Sequence, residues 1–215
     1  MSPHAGRRTA GWVRLAARLC LIVSVCLCLA RAAGSQPPAA RDRTLDIYFI
    51  NVEGGQATLI VTPDGESLLV DAGFPSTGTF DSRAGDPAQA RDPQRIAAAA
   101  RAAGVTRIDY MLVTHFHADH VGGVPELSRL LPIGTFIDHG GINPDAETAV
   151  PGTEAVHRAY SAVRARGRHL RPKPGDRLPL RGVLATVVST SGSTLGTALA
   201  GAAGRANAAC QPPGL

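Results

Sequence analysis

The stretch VTHFHADHVGG, Val113 to Gly123, places three histidines and an aspartate within six residues, His115 to His120. Neutral imidazoles bind transition metals, and an aspartate adds a hard anionic oxygen. His115 and His117 are two residues apart, so on an extended segment they face the same way and can share one ion. Asp119 and His120 follow where the chain turns, and there their directions can diverge toward a second ion. The bland alternative is a set of unconnected surface or core histidines. That fits the isolated His4, His157 and His169, which receive no role, with His157 mid-helix and His169 in a basic loop. It does not fit three histidines and an aspartate at this spacing, ahead of Gly122-Gly123.

The elements that must hold this cluster can be read from hydrophobic patterning. IDYMLVTH, Ile108 to His115, is a mostly apolar strand suited to burial on both faces, and the cluster sits where it ends. Open α/β sheets place their chemistry at such strand ends. Upstream, LDIYFINV (Leu45 to Val52), QATLIVT (Gln56 to Thr62) and ESLLVDA (Glu66 to Ala72) read as three strands, the last two joined by a hairpin at Pro63-Asp64-Gly65. A long loop is expected over Phe74 to Asp92. Asp92-Pro93 is expected to cap and start a helix that ends near Gly104. Gly122-Gly123 suggests a turn before a short helix, Val124 to Leu131. A strand at Thr135 to Gly140, an amphipathic helix at Thr153 to Gly167 and a strand at Val183 to Thr190 complete an α/β pattern with both sheet faces covered. Residues 191–215 show no clear period.

The chain has 215 residues, enough for one ordinary domain with a core of Ala, Val, Leu and Ile, since aromatics make up only 4%. The formal charge of +5 does not indicate a nucleic-acid face. Arg7, Arg8, Arg14, Arg18 and Arg31 lie in the first 33 residues, which contain no acid, and beyond them 17 basic residues balance 17 acidic ones. That opening reads as a secretory signal peptide, residues 1–33. Basic residues precede an apolar run, Leu19 to Ala30, and Ala30-Arg31-Ala32 gives an exit site for cleavage near Ala32 or Ala33. The competing reading, an uncleaved anchor, needs a longer run of about 18–20 apolar residues. The expected location is therefore secreted or periplasmic, without stable membrane association after cleavage. Residues 34–44 read as a linker. Cys20, Cys26 and Cys28 belong to the leader, which leaves Cys210 alone and no internal disulfide in the mature chain.

THFHADH is similar to the HxHxDH signature of the metallo-β-lactamase superfamily of metallohydrolases. FINVEGGQATLIVTPDGESLLVDAG resembles the opening of that fold, particularly in the branch that includes the extracytoplasmic domain of DNA-uptake competence proteins. In that branch a strand, V-G-Q-G-D, a hairpin and I-D-x-G follow one another; here Glu53-Gly54-Gly55-Gln56-Ala57 replaces the usual string. The resemblance covers about residues 45–190 and implies an αββα sandwich with one or two metal ions, usually Zn²⁺. It implies that His115 and His117 are first-metal ligands and that Asp119 and His120 are second-metal ligands. Asp119 would also act catalytically by orienting or deprotonating the attacking water, and Asp71 would support the ligand loop without binding metal. The implied chemistry is metal-assisted attack of water on an ester, phosphodiester or amide-type bond of a small-molecule or phosphodiester substrate.

The family completes its ions with a later Asp, commonly in a Gly-Asp after a strand, and at least one later His. After His120 this sequence offers only His139, His157 and His169, and Asp176 reads as a turn residue. His139 ends a strand and is expected to line the site. The expectation is therefore the N-terminal half of the sandwich, residues 45–190, followed by a low-complexity Gly/Ala-rich tail. Such a half would expose sheet edges and apolar surface. The alternative is a truncated or degenerate chain of this fold without catalysis, and a membrane-anchored partner-binding module is a third reading.

Overall fold

A computed structural model describes residues 44–75 and 91–201, all within one compact unit of the chain. The expected leader, the linker through residue 43, most of the long loop after Phe74, and Cys210 lie outside the described residues. Among the described residues no helix is long and apolar enough to cross a membrane.

The domain opens with β1 (Asp46–Phe49), β2 (Thr58–Val61) and β3 (Ser67–Val70), an antiparallel meander. The turn between β2 and β3 forms where Asp64-Gly65 stands: Gly65 takes φ 80° and its N–H donates to the Thr62 carbonyl at 2.8 Å. Then α1 (Asp92–Ala102) leads into β4 (Ile108–Leu112), and α2 (Ala118–Val121) and α3 (Val124–Leu130) lead into β5 (Ile133–Ile137). After α4 (Ala146–Ala149) and α5 (Thr153–Arg164) comes β6 (Arg168–Leu170). The six strands lie in sequence order, with β3 to β6 parallel. Two strands, β7 (Ser189–Thr190) and β8 (Ser193–Thr194), form a separate hairpin. The architecture is the mixed α/β arrangement expected of the family.

Strand alternation divides the sheet into two faces. Tyr48, Leu59, Leu69, Met111 and Phe136 are linked across the strands by register and belong to the main core. Ile96, Ala97 and Ala100 of α1, Val124 and Leu127 of α3, and Tyr160 and Val163 of α5 complete that core. The scarcity of aromatics is met by small side chains that let the Ala-rich α1 lie close. Among the described residues, the helices of that core do not cover the second face. The irregular segment around Pro179 and Leu180 lies there, with the Tyr110 hydroxyl donating to the Pro179 carbonyl at 2.7 Å.

Several local expectations change. The strand expected at Val183 to Thr190 survives only in its last two residues. The preceding stretch makes an isolated bridge, Arg177 to Thr186, because Pro179 and Gly182 interrupt any ladder. Asp92 begins α1 but does not cap it. The residue at the cap is Arg91, and the Asp92 carboxylate is turned inward to accept the Phe74 N–H at 2.7 Å. Burial pushes the Asp92 carboxyl above its ordinary range, against that hydrogen bond and the nearby arginines. Gly122-Gly123 forms the expected turn, with both residues at right-handed helical dihedrals where they join α2 to α3. A Cβ at Gly123 would collide with the Ala72 carbonyl, so the glycine is needed for close packing.

Candidate metal centre

The parallel strands β4 and β5 end on the same edge of the sheet, and the cluster lies there. After Leu112 the chain stays extended, with the Val113 N–H still pairing to the Ile137 carbonyl at 2.9 Å. Alternation then does the sorting. Phe116 is buried in the core, while His115 and His117, on either side of it, are half-buried and line a cavity of about 220 Å³. His117 is the last extended residue, φ −71° and ψ 154°, before α2 begins. Asp119 and His120 therefore project from a helical turn in a direction of their own.

This geometry produces two donor pairs. His115 Nε2 and His117 Nδ1 are 3.1 Å apart. His120 Nε2 and Asp119 Oδ2 are 3.4 Å apart. Two ligands on a tetrahedral Zn²⁺ with bonds of roughly 2.0–2.1 Å are separated by about 3.3 Å, so both pairs have the spacing of donors sharing an ion. No group of three or more His, Cys, Asp or Glu residues suited to a metal ion occurs among the described residues. The donor set fits divalent metal chemistry as two pairs, not as a closed cage.

A hydrogen-bond chain orients these pairs. Asp71 is fully buried at the end of β3 and sits at φ 57°, a conformation that aspartate tolerates better than most residues. Its carboxylate accepts the Thr114 N–H at 2.8 Å, the Thr114 hydroxyl at 2.7 Å and His120 Nδ1 at 2.8 Å. With its Nδ1–H given to Asp71, His120 presents the Nε2 lone pair beside Asp119. The Thr114 oxygen, having donated its own proton, can accept from His115 Nδ1 at 3.2 Å, which leaves the His115 Nε2 lone pair facing His117. Such outer hydrogen bonds set the tautomer of a ligating histidine. Burial, and then the neighbouring His120 and His117, hold His115 below the ordinary imidazole pKa, keeping it in the neutral form that binds metals.

The backbone around the cluster is tied to the opening hairpin. The Gln56 N–H donates to the Asp119 carbonyl at 3.1 Å, and the Ala72 N–H to the His120 carbonyl at 2.7 Å. A Cβ at Gly55 would lie 2.5 Å from the Asp119 oxygen. Gly55 is therefore required where the Glu53-to-Ala57 loop meets the cluster.

Of the other histidines, His139 is where the sequence reading expects it, whereas His157 and His169 are placed differently. His139 lines the cavity beside His115 and His117, with its ring 4.6 Å from Phe116. His157 lies on α5 but is half-buried, with its ring 4.5 Å from Phe116. His169 does not belong to a loop. It pairs in β6, and its Nε2 reaches Asp138 Oδ1 at 2.8 Å. Asp138 itself was not singled out by sequence, yet it is buried and also accepts from the Tyr160 hydroxyl at 2.6 Å, Arg164 at 2.8 Å and the Gly140 N–H at 2.7 Å. Tyr160 and Arg164, four apart on one helix face, were a legible signal for a buried acid. Thr114 was the other omission, and its place directly before the first histidine was the available clue.

Known proteins give a consistent comparison. The family model described as the metallo-beta-lactamase superfamily matches residues 50–201. A hydroxyacylglutathione hydrolase from Anaeromyxobacter dehalogenans is 32% identical over 118 residues, covering 55% of this chain and 37% of that protein. A protein named as a metal-dependent hydrolase, from Cupriavidus taiwanensis, is 27% identical over 123 residues, or 53% of this chain and 37% of its own length. The chain thus spans little more than a third of the length of these curated relatives. Among solved structures, the Rm3 metallo-beta-lactamase is 19% identical, with 68% of this chain and 50% of that one covered and a TM-score of 0.44. With the family model matching well over half of its residues, this chain belongs to the metallo-beta-lactamase superfamily.

Proposed function

We propose that the chain contributes the metal-binding centre of a metal-dependent hydrolase, with His115 and His117 holding one ion and Asp119 and His120 a second. The single observation that carries this reading is the pair of donor spacings, 3.1 and 3.4 Å, both oriented through Asp71 and Thr114. Zinc is the ion we assign, because neutral imidazoles and one carboxylate suit it. A divalent ion held there supplies Lewis acidity and a water acidified toward neutrality. The protein's own contribution is orientation and proton handling. Asp119, partly exposed beside His120, is the base that accepts the proton of the attacking water. His120 is kept from rotating by Asp71. The substrate is a molecule with an ester, thioester, phosphodiester or amide-type bond. One relative is named a hydroxyacylglutathione hydrolase, and that name leans toward thioesters.

A second reading is a chain of this fold that binds metal weakly and does not catalyse. It is favoured by the two-ligand character of each pair among the described residues. Metal analysis of the purified chain separates the two. The hydrolase reading expects about two equivalents of zinc and cleavage of a generic ester or phosphodiester, with activity reduced at least about a hundredfold in His117→Ala and Asp119→Ala. A folded chain with no zinc and no cleavage would establish the second reading.

A further inference from the structure

Three cavities meet at His139. One holds His115 and His117, about 220 Å³. The next, about 310 Å³, is lined by Thr114, Asp138, Pro172 and the β7–β8 turn. The third, about 600 Å³, is lined by Arg171, Lys173, Thr190, Ser191 and Ser193. His139 lines all three, so they adjoin one another between the donor pairs and a basic outer end, and together they are called the groove. The hairpin turn forms its wall. Ser191 (φ 50°) and Gly192 (φ 74°) make the left-handed two-residue turn that suits a tight hairpin, and the Ser191 hydroxyl donates to the His139 carbonyl at 3.5 Å.

Among the described residues, no ion pair is formed by the charges at the outer end, the side chains of Arg171 and Lys173. Asp176 accepts the backbone N–H of Lys173 at 2.7 Å, and forms no ion pair with its ammonium. Asp138, the carboxylate closest along the chain to His139, is already engaged by Tyr160, Arg164, His169 and the Gly140 N–H. Asp145 lines the inner cavity with His115 and His117 and not the outer one with Arg171 and Lys173. The Arg171 guanidinium lies against Gly140, φ 102°, in space that the glycine's missing side chain leaves open. A guanidinium, an ammonium and the hydroxyls of Thr190 and Ser193 around one cavity are the donors that recognise an oxyanion.

We propose that this groove seats an anionic group of the substrate, a carboxylate or a phosphate, with Arg171 and Lys173 binding it while the scissile bond lies at the His115–His120 cluster. The proposal rests on the hydrolase reading and narrows its substrate to molecules that carry an oxyanion away from the bond cleaved. It is tested on the full, metal-supplemented chain with p-nitrophenyl hydrogen glutarate and the uncharged p-nitrophenyl valerate. Calorimetric binding of glutarate and of phenyl phosphate provides a readout independent of turnover. For the Arg171→Gln, Lys173→Gln double variant, kcat/KM for the charged ester should fall about tenfold or more, mainly through KM, as expected for two lost charged hydrogen bonds. The neutral ester should be cleaved as before. Arg177→Gln, an exposed cation that does not line the groove, should leave both unchanged.

Tighter binding of phenyl phosphate than of glutarate, abolished in the double variant, assigns the oxyanion as phosphate; the reverse order assigns carboxylate. Equal loss on both esters, or unchanged binding of both anions, overturns the proposal. If neither ester is cleaved by the parent chain while anion binding is still lost in the double variant, the groove stands and the hydrolase reading falls.

Discussion

Asp71 is the residue on which the candidate centre depends most, although it belongs to neither donor pair. It is fully buried, and its two oxygens take one hydrogen bond from a backbone N–H, one from a hydroxyl and one from an imidazole. Removing the carboxylate leaves three donors to find new partners and puts alanine at φ 57°. Asp71→Ala should therefore lower stability by roughly 2–4 kcal/mol, from lost partners and from the left-handed backbone. Asp71→Asn keeps the conformational tolerance and one acceptor, and should cost about half as much. Urea unfolding midpoints measure both. Metal affinity should fall on the order of 10–100-fold in either variant, as when an outer partner of a ligating histidine is lost. An Asp71→Ala chain as stable as its parent would show that Thr114 and His120 orient themselves. The D-A-G string marked this position in the sequence, but only the fold identifies which atoms it serves.

At the level of elements, Asp138 fastens β5, α5 and β6 together. Tyr160 and Arg164 reach it from the helix, and His169 reaches it from the neighbouring strand. Burial alone would raise its carboxyl pKa. The hydrogen bonds from Tyr160, Arg164, His169 and the Gly140 N–H more than offset that and hold it below the ordinary carboxylate range. A depressed folded pKa gives stability that is present above the unfolded value near ~3.9 and is lost as pH falls through the folded one. Tyr160 works in the opposite direction. Burial, reinforced by its bond to Asp138, pushes the phenol well above its ordinary value, so its contribution is present below about pH 10 and declines as pH rises further. Asp138→Asn should destabilise by roughly 3–5 kcal/mol at neutral pH, the scale for breaking a buried charged pair. The gap from the parent chain should narrow below about pH 4. Tyr160→Phe should flatten the alkaline limb. Urea titrations at about pH 3, 7 and 10.5 test both, and a constant gap across that range would contradict the assignment.

For the whole molecule, the two faces of the sheet differ in how they are covered. The helix-facing side is sealed by α1, α3 and α5, whereas on the other side the edge strand β1 presents Ile47 and Phe49, the latter 84% exposed. An apolar edge strand of this kind invites pairing with another chain. A charged residue there should suppress association. Phe49→Lys should raise the soluble fraction and lower light scattering on concentration, with a stability change within about 0.5 kcal/mol, since the side chain buries little. A large loss of stability would mean that Phe49 packs against part of the chain after all.

The sequence by itself carried the resemblance to the family, the strand-rich opening, the position of the cluster at the end of a buried strand, and His115, His117, Asp119 and His120 as candidate donors. Each of these rests on local information: residue type, alternation and the spacing of histidines on an extended segment. Tertiary structure decided the rest. It converted four donors into two pairs, because the chain changes from strand to helix between His117 and Asp119. It recruited Asp71 and Thr114, 43 residues apart, into one hydrogen-bond chain, because β3 and β4 are adjacent and parallel. It placed Asp138 under α5, moved His169 from loop to strand, and reduced the expected strand at Val183 to Thr190 to a two-residue hairpin arm. Those features depend on which distant segments pack together and on which backbone groups need partners. Neither is encoded in any short window of residues.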